Sequence, residues 1–465
     1  MSVLMPPSTP LCHAQESACM AIENTSTHPP KPAEITLLPA PDAWPADLKA
    51  PDSEQKSLAR RQLGLPVDRP IIASGHQPIL FHPGIVAKLI ALDYWSTETG
   101  AAAVWVVPDQ DVVDPALVRL PKQDGESLTV ESIRIGGGPV EHSPVVSQPA
   151  IAISDALPDQ LDSIGSWLMG YEHEASLARQ FSSATVGMLC EQLDLHEPIL
   201  IFASDLLSTD AGSGLIDAML ADPKAAIESY NASVEKFPDA GVRPLSITKT
   251  RIELPLWRLD GEGRVPVFVD LDSETMFDRS NLIPRGIMMT AIMRAFVCDL
   301  FIHGTGGYEY DQISEAWLDG WRDLALAPIA AATATMRLEF DIPIASDPDR
   351  AVWAAHHARH DPAMLGDYVA ADQKLALVDE IAESKLHGNQ NHTAKLFAQL
   401  QQLLVETRSN HAGAIEEFDA ASRAALDSRE AREIANSRTW AFPLYTDLQL
   451  QSLKDEVIRA LGGGG

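Results

Sequence analysis

Two histidines, His76 and His82, share one loop-like stretch, and two carboxylates, Asp109 and Asp111, end the apolar run that follows. An imidazole can shuttle a proton near neutral pH or donate to developing negative charge. A carboxylate can act as general base or bind a hard cation such as Mg²⁺. A third histidine, His303, precedes Gly304-Thr305-Gly306-Gly307, with Tyr310 and Asp311 just beyond. Glycines at such a turn let backbone N–H groups approach an anion, and a helix starting there adds its positive end. Lys88 falls one helical turn past Gly84, where it either reaches the loop as a point charge or solvates the helix face. Arg285, after Pro284, suits a carboxylate or phosphate fork as well as an acidic neighbour. Each histidine also has a bland role, as a cap or a surface loop residue.

Those residues need elements to position them. Ile71 to Ala73 is a short buried-strand run, Ser74 to Pro83 has loop chemistry, and Gly84 to Thr97 carries helical spacing at Ile85, Leu89, Ala91 and Leu92. Val104 to Val107 makes a second strand. Asp299 to His303 repeats the pattern, with a helix expected over Tyr308 to Trp321. In open parallel α/β sheets ligands bind beyond the carboxyl ends of the strands, so both loops are expected on one crevice. Asp109 and Asp111 alternate along a strand, so one is expected to cap the next segment and the other to be base or Mg²⁺ ligand.

These blocks resemble the bacillithiol biosynthesis cysteine-adding enzymes. The likeness rests on Ser74-Gly75-His76-Gln77, Pro83-Gly84 with Lys88, Val104-Trp105-Val106-Val107-Pro108-Asp109-Gln110-Asp111, Leu282-Ile283-Pro284-Arg285, and His303-Gly304-Thr305-Gly306-Gly307 with Tyr310. It spans roughly residues 66 to 325. The resemblance implies a Rossmann-like α/β core of the nucleotidyltransferase type, a parallel sheet, and a C-terminal antiparallel helical coiled-coil arm used for homodimer contact. It also implies a ligase that joins an amino acid, cysteine in that family, to the amine of a small sugar-derived acceptor such as glucosaminyl-malate. His76, His82, Asp109, Asp111 and His303 then become candidate catalytic residues. Ser74, Gly75, Gln77, Lys88, Arg285, Gly304, Gly306, Gly307, Tyr310 and Asp311 become candidate substrate contacts. ATP or another nucleotide, with Mg²⁺, is a candidate cofactor. Two alternatives stay open: a nucleotide-binding transferase on the same fold, or a non-catalytic scaffold whose working part is the arm.

Composition narrows the classes. The 465 residues, 45% hydrophobic, suffice for large cores, and a formal net charge of −30 argues against nucleic acid and anionic membrane surfaces as partners. A small-molecule substrate is the expectation. Cys12, Cys19, Cys190 and Cys298 are too few and scattered for a disulfide framework, which points to the cytoplasm. No run approaches the roughly 18 apolar residues of a membrane span. Cys12, His13 and Cys19 lack the paired spacing of a zinc site, and His356, His357 and His360 lack a metalloprotease pattern, so neither cluster is expected to hold a metal.

Residues 1–45, rich in Pro, Ser and Thr, read as a disordered or loosely packed extension. Residues 46–345 form the α/β core, with a β-hairpin of Arg251 to Trp257 and Val265 to Asp270 turning at Asp260-Gly261, and another turn at Gly136 to Pro139. Residues 346–438 are helical: Gln373 to Leu386, a turn at Asn389 to His392, then one helix from Thr393 to about Ile434. Residues 439–465 begin with Trp440 to Tyr445, apolar enough to pack back on the core.

Overall fold

The computed structural model describes residues 31–463 except 52, 126, 139–142, 155, 261–262, 273–277 and 341–346. Cys12, His13, Cys19, Pro139 and Gly261 lie outside the described residues.

Eleven strands are described: β1 (Glu34–Leu38), β2 (Ile71–Gly75), β3 (Ala102–Val107), β4 (Leu117–Asp124), β5 (Ser127–Arg134), β6 (Ile199–Phe202), β7 (Arg251–Asp260), β8 (Gly263–Asp270), β9 (Leu282–Pro284), β10 (Leu300–His303) and β11 (Ile329–Thr335). The central sheet has six strands in the order β1-β11-β10-β2-β3-β6. All neighbours are parallel except β1, which runs antiparallel to β11 at the edge. The fold is therefore mixed α/β with a mostly parallel sheet. From β2 the chain steps outward through β3 to β6, then returns to the other side of β2 for β10 and β11. The strand order reverses between β2 and β10, and there a crevice opens at their carboxyl ends.

Both faces of this sheet are covered, which is why its strands are continuous apolar runs. Ile72, Trp105, Val107, Leu300 and Ile302 join one core with the helices Pro83–Thr99, Leu177–Leu193 and Asp447–Gly462. Ile71, Ala73, Val104, Val106 and Phe301 join the other, with Asp210–Ala221, Pro223–Lys236, Gly286–Ile292 and Gln312–Arg322. Each fully buried Leu or Ile contributes about 1.5–3 kcal/mol. Two small antiparallel sheets flank the body, β4-β5 and β8-β7-β9. Among the described residues no helix is long and apolar enough to cross a membrane.

Three expectations change. The extension expected up to residue 45 ends earlier: Glu34–Leu38 pairs with β11, and Trp44 is buried against Trp95 with ring centroids 5.3 Å apart. The glycine loop after His303 is a helical turn, because helix Thr305–Tyr310 starts at Gly304. The long helix from Thr393 is broken into Gln390–Asn410, Ala412–Asp427 and Arg429–Asn436. At the first break His411 leaves helical geometry (φ −114°, ψ 28°) and its ring sits 3.2 Å from the Asp367 carboxylate. Ala412–Asp427 then turns back onto Pro348–Ala358, so only Tyr368–Leu386 and Gln390–Asn410 remain as a helical pair. Ser384 and Thr393 hydroxyls bond across it at 2.8 Å.

The C-terminal segment lies on the body. Phe442 is fully buried, its N–H donates to Phe81 O at 2.7 Å, and the Tyr445 hydroxyl donates to Met336 O.

Candidate functional site

The crevice between the carboxyl ends of β2 and β10 holds a cavity of about 340 Å³. Gly75, His76, Gln77 and Lys88 line one side, Gln110 and Asp111 another, and His303, Gly304, Gly307 and Tyr310 a third.

The β2 side is built by close backbone approach. Gly75 pairs with Val106, and a Cβ on Gly75 would lie 2.0 Å from Val106 O, so no other residue fits. His82 then ends the loop as the N-cap of helix Pro83–Thr99, its Nδ1 accepting from Gly84 N at 3.1 Å, with Pro83 in the first turn. Helical side chains lean toward the N-terminus, so Lys88 reaches back to the strand end. Its Nζ donates to Gly75 O at 2.5 Å and lies 5.5 Å from the Trp105 ring centroid. Lys88 is 6% exposed and forms no salt bridge among the described residues. Burial pulls its amino group down to about 7. His76 lines the same cavity, ring edge to Phe81 with centroids 5.9 Å apart. Burial first, and the Lys88 charge second, push His76 down to about 3, so the ring is neutral.

On the β10 side His303 is buried, its Nε2 3.0 Å from Asp311 Oδ2. Burial, opposed by Asp311, holds this imidazole below its ordinary range. Gly307 packs on the ring: a Cβ there would meet Nδ1 at 2.6 Å. That close approach, rather than anion binding, explains this glycine. Gly306 has open space and does not line the cavity. Burial raises the Tyr310 phenol, helped by Asp311 and Asp111.

The two aspartates part company. Asp111 enters the rim, accepting from Gln77 Nε2 at 2.9 Å and from Arg264 Nη1 at 3.0 Å. Asp109 turns away and is buried, accepting from Ser204 N at 3.0 Å and Ser204 Oγ at 2.5 Å, so it caps the short helix Ala203–Leu206. Burial outweighs those bonds and raises its carboxyl to about 6. The pair therefore does not converge on one cation. Among the described residues no group of three His, Cys, Asp or Glu side chains is placed to hold a metal ion.

Four more expected contacts lie outside the cavity. His82 is spent on its cap, where burial, then Arg438, lowers it to about 4. Ser74 donates to Ile302 O at 2.7 Å, joining β2 to β10. Arg285 pairs with buried Glu253 at 2.8 Å and lies 3.9 Å over the Trp257 ring. Asp311 stands behind His303 rather than facing the cavity. Conversely, Pro108, Gly286, Met289, Thr290 and Phe301 line it unannounced. Met289 and Thr290 belong to helix Gly286–Ile292, whose apolar sequence looks like core, and only the site of strand reversal could have flagged that helix as a wall.

The arrangement offers one buried lysine without an ion pair among the described residues, two imidazoles held below their ordinary range and one carboxylate around a space for a small molecule. That set can bind an anion, hold a developing oxyanion, and accept a proton. Compared with protein-family models and with curated proteins, the sequence matches none.

Proposed function

We propose that the protein is a cytoplasmic ligase-like enzyme that joins an amino-acid carboxyl group, cysteine by resemblance, to the amine of a small sugar-derived acceptor. The observation that carries this reading is the convergence of Lys88, His76 and His303 on one cavity at the point of strand reversal. Amide formation requires the attacking amine to lose a proton, the carboxyl oxygens to be held against developing charge, and one carboxyl oxygen to leave, as water or, after activation by a nucleotide, with the phosphate. A neutral buried imidazole suits the first task and Lys88 the second, with Asp111 placed to meet the ammonium form of an amine. The strand order around β2 supports a Rossmann-like core of the nucleotidyltransferase type, and the helical pair supports a coiled-coil arm for a homodimer.

A second reading, a nucleotide-binding transferase, is favoured by one feature: helix Thr305–Tyr310 has no side-chain cap at Gly304 and opens on the cavity. ATP or another nucleotide would set its phosphates there, bringing Mg²⁺ with them.

Thermal-shift titration with ATP, CTP, each with Mg²⁺, cysteine and glucosaminyl-malate tests both. Stabilisation by the acceptor or amino acid, with a condensed product by mass spectrometry, supports the ligase. Stabilisation by nucleotide alone supports the transferase, and no response from any ligand sinks both.

A further inference from the structure

We infer that Asp311 is a positioning residue that holds His303 as the Nε2–H tautomer, so that Nδ1 is the nitrogen that takes the proton from the substrate. The proton's source rests on the ligase reading; the tautomer rests on geometry alone.

Asp311 is fully buried, yet every polar contact around it treats it as an acceptor. Its Oδ1 accepts from Thr290 Oγ1 at 2.6 Å, and its Oδ2 from Arg294 Nη1 at 3.0 Å. Arg294, 1% exposed, lies on the π-helical turn Met293–Val297, donates through Nε to Ala327 O at 2.7 Å and through Nη2 to Glu315 at 2.8 Å. A carboxylate bonded to a guanidinium has no hydrogen to give. The 3.0 Å contact with His303 Nε2 therefore requires the hydrogen on Nε2.

Nδ1 is then left with its lone pair. It packs against Gly307, where a Cβ would come within 2.6 Å, and Gly307 itself lines the cavity. Phe301 and Tyr310 hold the ring on its other sides, with centroids 4.4 and 6.0 Å away. In the transfer, the amine N–H bond breaks and an Nδ1–H bond forms. The resulting imidazolium keeps its Nε2–H bond to the Asp311 carboxylate, which offsets the new charge.

The test is two-bond ¹H–¹⁵N correlation of full-length protein labelled with ¹⁵N-histidine, the His303 signals being assigned by their loss in His303→Gln. At pH 7 the wild type is expected to show His303 with Nε2 protonated and Nδ1 bare. Asp311→Leu, which keeps the volume and removes the acceptor, is expected to move the ring toward the Nδ1–H form or a mixture. A wild-type Nδ1–H ring, an imidazolium at pH 7, or an unchanged Asp311→Leu spectrum overturns the inference. Should Asp311→Leu not fold, the wild-type spectrum and Gly307→Ala decide, the latter expected to shift Nδ1 and not Nε2. A silent ligand screen would remove the ligase reading and leave this spectrum standing, whereas the wrong tautomer would do the reverse.

Discussion

Gln77 Nε2 donates to Asp111 Oδ2 across 2.9 Å, and this bond ties the loop leaving β2 to the loop leaving β3 at the rim of the cavity. Arg264 takes the other carboxylate oxygen and also donates to Gln110 O at 2.5 Å. Its guanidinium lies 4.8 Å from the Trp257 ring, which Arg285 also covers at 3.9 Å. The three-stranded sheet is thereby latched to the rim of a site whose walls come from residues 75–111 and 286–310.

His76→Ala is expected to separate function from stability. The ring's one hydrogen bond among the described residues, 3.3 Å to Gln77 O, is worth about 1 kcal/mol, whereas loss of a group that stabilises transition-state charge slows turnover roughly a hundredfold or more. Melting temperature and single-turnover rate with the substrate found by the screen read both. Full activity with a large stability loss would make His76 structural.

Lys88→Met is expected to abolish anion binding and to flatten the pH dependence of stability above neutrality. Burial lowers the amino group from 10.5 to about 7, so between these values the unfolded chain binds the extra proton and stability rises with pH. Below pH 7 that gain is gone, and the methionine variant should be the more stable. Urea unfolding at pH 6, 8 and 10 checks it; parallel curves for the two proteins would refute it.

Asp109→Asn should act on stability and leave ligand affinity unchanged, because Asp109 faces Ser204 and not the cavity. Its carboxyl rises from 3.8 to about 6, so the folded state holds the proton more tightly. Wild-type stability should therefore fall by roughly 2 kcal/mol as pH rises from 4 to 6. The variant should lack that fall. A retained slope in its denaturation curves would assign the titration elsewhere.

Gly306→Ala and Gly307→Ala should diverge although they are neighbours in one helical turn. The first meets open space and should gain up to about 1 kcal/mol from helix propensity. The second drives a methyl into His303 and should cost about 1–3 kcal/mol and impair binding. Equal melting temperatures would mean that the His303 ring moves freely.

Excising Tyr368–Asn410 and joining Asp367 to His411 through a short glycine linker should leave the body folded, since those residues already touch at 3.2 Å. The helical pair exposes Leu375 and Leu386 at 60% and 87%. If it forms the dimer contact, light scattering should give a dimer for the whole chain and a monomer for the excised one. Identical oligomeric states would remove that role.

Much of the site was legible because its signals are local. Apolar runs ending in Gly75 and His303, glycines without room for a Cβ, and a helix opened by Pro83 mark strand ends and helix starts, and placed His76, Gln77, Lys88, His303 and Tyr310 at one crevice. Other features depend on partners far along the chain, which no local period encodes. Asp109 rather than Asp111 turned inward because Ser204, in the short helix after β6, offers two donors. Arg285 is held by Glu253, and Asp311 is claimed by His303, Thr290 and Arg294. Glu34–Leu38 became a strand only because β11 presented a free edge, and the helix from Gln390 stopped at His411 where Asp367 meets it. The sequence by itself determined which segments become strands, helices and turns, and which loops carry titratable groups. Tertiary structure alone decided which of those groups face the cavity and which are spent on buried partners, because a buried polar group must be satisfied by whatever the fold brings beside it.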